Sequence, residues 1–142
     1  ISIKYYSERI YAQHKPQRNK KKINKTQFKN FNDSILYENN NFLVIDKWYG
    51  ISTQGGTNIN ISIDTIIKNI SENFNLVHRL DKETSGLLII AKNLKYTKIF
   101  GKLFKSQTIK KTYLALCDGK PKMIESYVNL ILDSDKKDKL YT

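Results

Sequence analysis

Residues 77–91 constrain this chain more than any other stretch. Val77-His78-Arg79-Leu80-Asp81-Lys82-Glu83-Thr84-Ser85-Gly86 crowds charge and turn chemistry together, and the apolar run Leu87-Leu88-Ile89-Ile90-Ala91 follows at once. A short apolar run bounded by Thr-Ser-Gly reads as a buried strand entered through a tight turn. The loop ahead of it then holds Asp81 at the mouth of a sheet, between the cations Arg79 and Lys82. Cations that close keep a carboxylate ionised and also draw phosphate towards it. Asp81 is therefore a candidate nucleophile or base acting on a nucleic acid. The competing reading is an ordinary surface ion pair of Arg79, Asp81 and Lys82, which is what most exposed charges amount to.

On these residues alone the surface ion pair is the commoner outcome, and composition speaks to the partner. Across 142 residues the net charge is +12, so an anionic partner is expected, nucleic acid before an anionic membrane. The single cysteine, Cys117, excludes an intrachain disulfide, suits a reducing cytoplasm and reads as a small core residue. His14 and His78 are far apart, so no spacing of metal ligands exists and a metal is not expected. No apolar run approaches the roughly twenty residues that a membrane span requires. The start, Ile1-Ser2-Ile3-Lys4, lacks an initiator methionine and a signal peptide, so a cytoplasmic chain incomplete at its front end is expected.

Residues 1–33 read as a basic arm. No acidic residue separates Glu8 from Asp33, while Lys15, Arg18, Lys20, Lys21, Lys22, Lys25 and Lys29 accumulate, flanked by Tyr5, Tyr6, Tyr11, Phe28 and Phe31. Such a segment is a solvated linker, or an arm that tracks RNA phosphates and stacks bases on its aromatics. The compact region begins near Ser34. Ile35–Glu38 and Phe42–Lys47 are apolar runs separated by three asparagines, which suits a hairpin because Asn tolerates positive φ. Ile63, Ile66, Ile67 and Ile70 fall at helical spacing behind a Ser62 cap, predicting a helix over 62–73. A second helix is predicted over 94–105, with Lys92, Lys95, Lys98, Lys102 and Lys105 making its solvated surface basic. Lys110–Cys117 reads as a strand in which Tyr113 is a core or cross-strand residue, and Tyr127–Leu132 as a further alternating run.

The string His78-Arg79-Leu80-Asp81-x-x-Thr84-Ser85-Gly86-Leu87-Leu88 resembles the signature of the RluA-type pseudouridine synthases, and closest is the branch with a separate N-terminal RNA-binding module. The resemblance puts the catalytic aspartate of that family at Asp81. It implies an α+β fold with a mixed or antiparallel sheet and flanking helices. Residues 34–142 would be a partial catalytic domain and residues 1–33 a linker, with the last residues of a preceding module. Lys47 and Gly50 match the family's Lys-Pro-x-Gly turn, with Trp48 standing where proline is usual. Lys111-Thr112-Tyr113 matches a Lys-x-Tyr strand whose tyrosine stacks on the target uracil. The Gly-Arg-x-His-Gln-x-Arg segment, which supplies the family's cationic partner of the aspartate, does not occur before Thr142, so a chain truncated at its C-terminal end is expected.

The implied reaction breaks the C1′–N1 bond of a uridine, rotates the base and rejoins it through C5. It needs no cofactor. The implied site is catalytic Asp81, with Arg79 on a phosphate or in the vacated stack, His78 shaping the loop and Tyr113 on the flipped base. Lys20, Lys21, Lys22, Lys110 and Lys111 are the candidate RNA contacts. The expected partner is RNA, large-subunit ribosomal RNA first, with the protein a monomer. Two other classes compete: an RNA-binding remnant without activity, and a glycoside hydrolase using Asp81 and Glu83, for which no second acidic motif supplies a sugar cleft.

Overall fold

The computed structural model describes residues 22–56, 59–116 and 118–119. The described residues up to Lys110 belong to one compact unit, and those from Lys111 onward to a second. The first unit runs α1 (Lys25–Asp33), β1 (Ile35–Glu38), β2 (Phe42–Lys47), α2 (Ile63–Ile70), β3 (Asn75–Leu76), β4 (Gly86–Ala91) and α3 (Leu94–Lys105). Its four strands form one sheet in the order β1-β2-β4-β3, with every neighbouring pair antiparallel. The expected α+β class is observed.

The apolar runs form strands because each alternates against a buried face. Along β2, Leu43, Ile45 and Lys47 are buried while Asp46 is exposed. The register sets Leu43 opposite Ile90, Ile45 opposite Leu88 and Lys47 opposite Gly86. This face packs against Phe31 of α1 and against Ile63, Ile66 and Ile67 of α2, all essentially without exposure. Phe42 points the other way, and its ring meets Tyr96 and Phe100 of α3, at 6.3 and 5.2 Å between centroids. Helices α1 and α2 therefore cover one face of the sheet and α3 covers the other.

Several details depart from expectation. Within the segment read as a basic arm, Lys25–Asp33 is a helix. Asn24 Oδ1 accepts from the Gln27 amide and Gln27 Oε1 accepts from the Asn24 amide, both at 2.8 Å, closing a capping box. Phe31, counted as an available stacking ring, is instead a core residue at 1% exposure. The helix survives its lysines because one aromatic is buried and Lys29 pairs with Asp33 at 2.9 Å. Residues 1–21 lie outside the described residues.

The hairpin turn works through a side chain and not through positive φ. Asn39 Oδ1 accepts from the amides of Asn41 and Phe42 at 2.8 and 2.9 Å. The α2 helix stops at Ile70, short of Asn73, because Ser71 is already extended. Lys68 Nζ then holds the carbonyls of Glu72 and Phe74 as the chain turns into β3. The strand expected over Lys110–Cys117 is not formed in its described part. Residues 111–116 have no ladder partner among the described residues, and Leu114 and Leu116 are fully exposed. A strand whose backbone groups find no neighbour has nothing to hold it extended. The run at Tyr127–Leu132 lies outside the described residues.

Candidate functional site: the Asp81 loop

The loop joining β3 to β4 is fixed through its backbone and leaves its charged side chains exposed. Leu80 is anchored in the core at 8% exposure. On either side of its peptide, Thr53 Oγ1 donates to the Leu80 carbonyl at 2.5 Å and accepts from the Leu80 amide at 3.1 Å. Thr53 is itself buried. One residue beyond Asp81, the Lys82 carbonyl accepts from the Gly50 amide at 2.9 Å. The Thr84 amide closes a turn onto the Asp81 carbonyl at 3.1 Å. Gly50 adopts φ +84° to make its contact and Gly86 adopts φ +116° where the loop enters β4, conformations that favour glycine at both.

Lys47 lies beneath this loop with no exposed surface. Its ammonium donates to the Ile51 carbonyl at 2.9 Å and the Trp48 carbonyl at 3.3 Å, and reaches the Lys82 carbonyl at 3.5 Å. Burial pushes its pKa below the usual lysine value, while Glu83 and then Asp81 draw it back up. A buried cation thus ties the 48–51 turn to the peptide that follows Asp81. The family-like Lys-x-x-Gly turn keeps its shape in this way, with Trp48 in the proline position.

Upstream, His78 fixes the loop to the sheet. Its Nε2 accepts from the Ile89 amide of β4 at 2.9 Å, and its ring stacks on Phe104 of α3 at 4.4 Å. The bond requires an unprotonated Nε2. Between these anchors the Asp81 carboxylate is 76% exposed, with Arg79 Nη2 at 3.9 Å and similarly exposed. So loose a pair contributes little stability. What the arrangement offers is a carboxylate whose backbone is rigid, whose oxygens face solvent and whose nearest cation can move to another anion.

The structure therefore brings together His78, Arg79 and Asp81. Of the candidate RNA contacts, Lys22 and Lys110 are exposed in the first unit and Lys111 is exposed in the second, while Lys20 and Lys21 lie outside the described residues. Tyr113 belongs to the second unit, where its ring is 62% exposed. Sequence reasoning did not single out Lys47 or Thr53 as parts of the site. For Lys47 a signal existed, since the two-residue period of Phe42–Lys47 places it on the same face as Leu43 and Ile45. For Thr53 there was none, because its partner lies 27 residues on. Among the described residues no cluster of His, Cys, Asp or Glu could hold a metal ion.

With this geometry in hand, three comparisons bear on the chain. Residues 41–141 match the family of RNA pseudouridylate synthases. A ribosomal large subunit pseudouridine synthase C of Rickettsia bellii is 43% identical over 105 residues, 72% of this chain and 35% of that protein. Its counterpart in Rickettsia felis is 48% identical over 92 residues, 63% of this chain and 30% of that protein. Among solved structures, human RNA pseudouridylate synthase domain containing 4 aligns with a TM-score of 0.50 at 25% identity, over 58% of this chain and 33% of that one. The chain thus spans about a third of the length of the curated relatives it matches.

Proposed function

Because the chain belongs to the RNA pseudouridylate synthase family, we propose that it carries the catalytic aspartate of a uridine isomerase acting on large-subunit ribosomal RNA, and that this residue is Asp81. The observation that carries the proposal is an exposed carboxylate on a loop held from three sides, by Thr53 at Leu80, by Gly50 and Lys47 at Lys82, and by His78 at β4. Catalytic groups work best when the scaffold has already fixed their backbone. The ribosomal target is suggested by the names of the Rickettsia relatives.

In this reading the target uridine leaves its stack, because the atoms that change are covered inside a helix. Arg79 exchanges the Asp81 carboxylate for an RNA phosphate. The released carboxylate then attacks C1′ as the C1′–N1 bond breaks, or assists loss of the 2′ proton to give a glycal. The uracil turns in place and C5 bonds to C1′ as the Asp81–C1′ bond breaks and the carboxylate is released, or, in the glycal route, as the proton is returned to C2′. The proton on C5 departs to solvent and N1 takes up a proton from solvent. The step is an isomerisation, so atoms and electrons balance without a co-reactant.

The test is to incubate the chain with a large-subunit ribosomal RNA transcript, and separately with a transfer RNA transcript, then digest to nucleosides and separate them by chromatography. Pseudouridine in the first sample alone supports the reading. Pseudouridine in the transfer RNA sample alone overturns the ribosomal assignment. Its absence from both, with RNA binding retained, favours a binding remnant without activity.

A further inference from the structure

The four lysines on the solvent side of α3 form a ridge that the chemistry of the Asp81 loop does not use. Lys95, Lys98, Lys102 and Lys105 are all exposed. At 100° per residue they fall within an arc of about 80°, and at 1.5 Å per residue they extend over roughly 15 Å. The opposite side of the helix is committed to the fold, with Tyr96 and Phe100 on Phe42 and Phe104 on His78.

Helix stability does not account for the ridge. Lys102 and Lys105 suit the C-terminal turn, but Lys95 sits in the first turn, where a cation opposes the helix dipole and no acidic residue offsets it. Lys95 with Lys98, Lys98 with Lys102, and Lys102 with Lys105 are like-charge pairs at spacings that destabilise a helix. From Thr84 to Cys117 the sequence has no Asp or Glu at all. Among the described residues none of the four lysines is in a salt bridge. An uncompensated row of cations is relieved by a polyanion.

The ridge also has a direction. Tyr96, near its start, meets Phe42 at the far end of β2, while Phe104, at its finish, stacks on His78, three residues before Asp81. We propose that this ridge is a sequence-independent track for the RNA phosphate backbone flanking the nucleotide that meets Asp81. The proposal rests on the reading above for the identity of the polyanion.

The test uses the whole chain and a fluorescently labelled single-stranded RNA, with affinity read by anisotropy over a series of salt concentrations. Two variants remove equal charge from opposite faces of the sheet: Lys98→Gln with Lys102→Gln on α3, and Lys25→Gln with Lys29→Gln on α1. For a single strand, each phosphate that is no longer neutralised lowers the slope of log affinity against log salt by about 0.7, so the α3 pair is expected to lower it by about 1.4. The α1 pair leaves the slope unchanged, the α3 effect is the same for RNAs of unrelated sequence, and Lys98→Arg with Lys102→Arg restores it. Equal loss from both glutamine pairs, no loss from the α3 pair, or no RNA binding by the parent chain overturns the track. Failure of the parent to make pseudouridine while the α3-specific loss persists sinks the enzymatic reading and leaves the track standing.

Discussion

Replacing Thr53 by valine keeps the branched shape of the side chain and removes the hydroxyl that brackets Leu80. The Leu80 carbonyl then loses a donor at 2.5 Å and the Leu80 amide an acceptor at 3.1 Å, both in buried surroundings. A buried polar group left unpaired costs about 1–3 kcal/mol. The added methyl of valine returns about 0.8 kcal/mol by apolar burial. With two such groups the net expectation is a loss of about 1–5 kcal/mol, a sizeable part of the 5–15 kcal/mol that holds an ordinary domain together. Thr53→Ser is the control, since it keeps the hydroxyl and forgoes one methyl, for about 1 kcal/mol. Urea unfolding measures both variants, with an unchanged m-value certifying that the same surface is exposed. Amide exchange at Leu80 should accelerate in the valine variant and stay near the parent rate in the serine variant. If valine proves as stable as serine, the bracket does not hold the loop and the argument for a prefixed Asp81 backbone fails.

Three further outcomes follow from the same geometry. His78→Phe keeps a ring against Phe104 but leaves the Ile89 amide without its acceptor, so it should cost about 1–2 kcal/mol, whereas His78→Gln, which restores an acceptor, should cost less; thermal unfolding of the pair decides. Gln107 ends α3 at φ +55°, with the Thr108 and Gln107 amides bonded back to the carbonyls of Leu103 and Phe104, so Gln107→Gly should raise the melting temperature through a gain of about 0.5–1 kcal/mol. Lys47 has its pKa lowered by burial, so between that value and the ordinary 10.5 the unfolded chain binds more protons than the folded one and stability gains from rising pH. Lys47→Met removes that contribution, so the stability of the parent relative to the variant should increase as pH is raised towards 10.5, read from urea midpoints across an alkaline series.

Much of the fold was legible because its signals were local. The Asn-spaced hairpin, the isoleucine-spaced helix behind Ser62 and the apolar run before Ala91 each announce themselves within a dozen residues, and all three form. The first helix was missed because lysines and arginines dominate the composition of the segment, while one capping box and one buried phenylalanine decide its structure. The Lys110–Cys117 strand was over-read because alternation states only what a chain could pair with, and the described residues offer it no partner. In the candidate site Asp81, Arg79 and His78 were visible together as one string. The groups that hold the loop, Thr53 and Lys47, meet it across 27 and 35 residues, so the period of β2 marks Lys47 as buried but no local pattern names the partner of either.

The central claim is tested most directly by tritium release from RNA carrying 5-tritiated uridine, comparing the chain with Asp81→Asn. Bonding of C5 to C1′ must expel the label, and asparagine fills nearly the same space without the charge. Release by the parent and only background from the variant is the expected result. Equal release from both would show that the carboxylate at position 81 is not the reacting group.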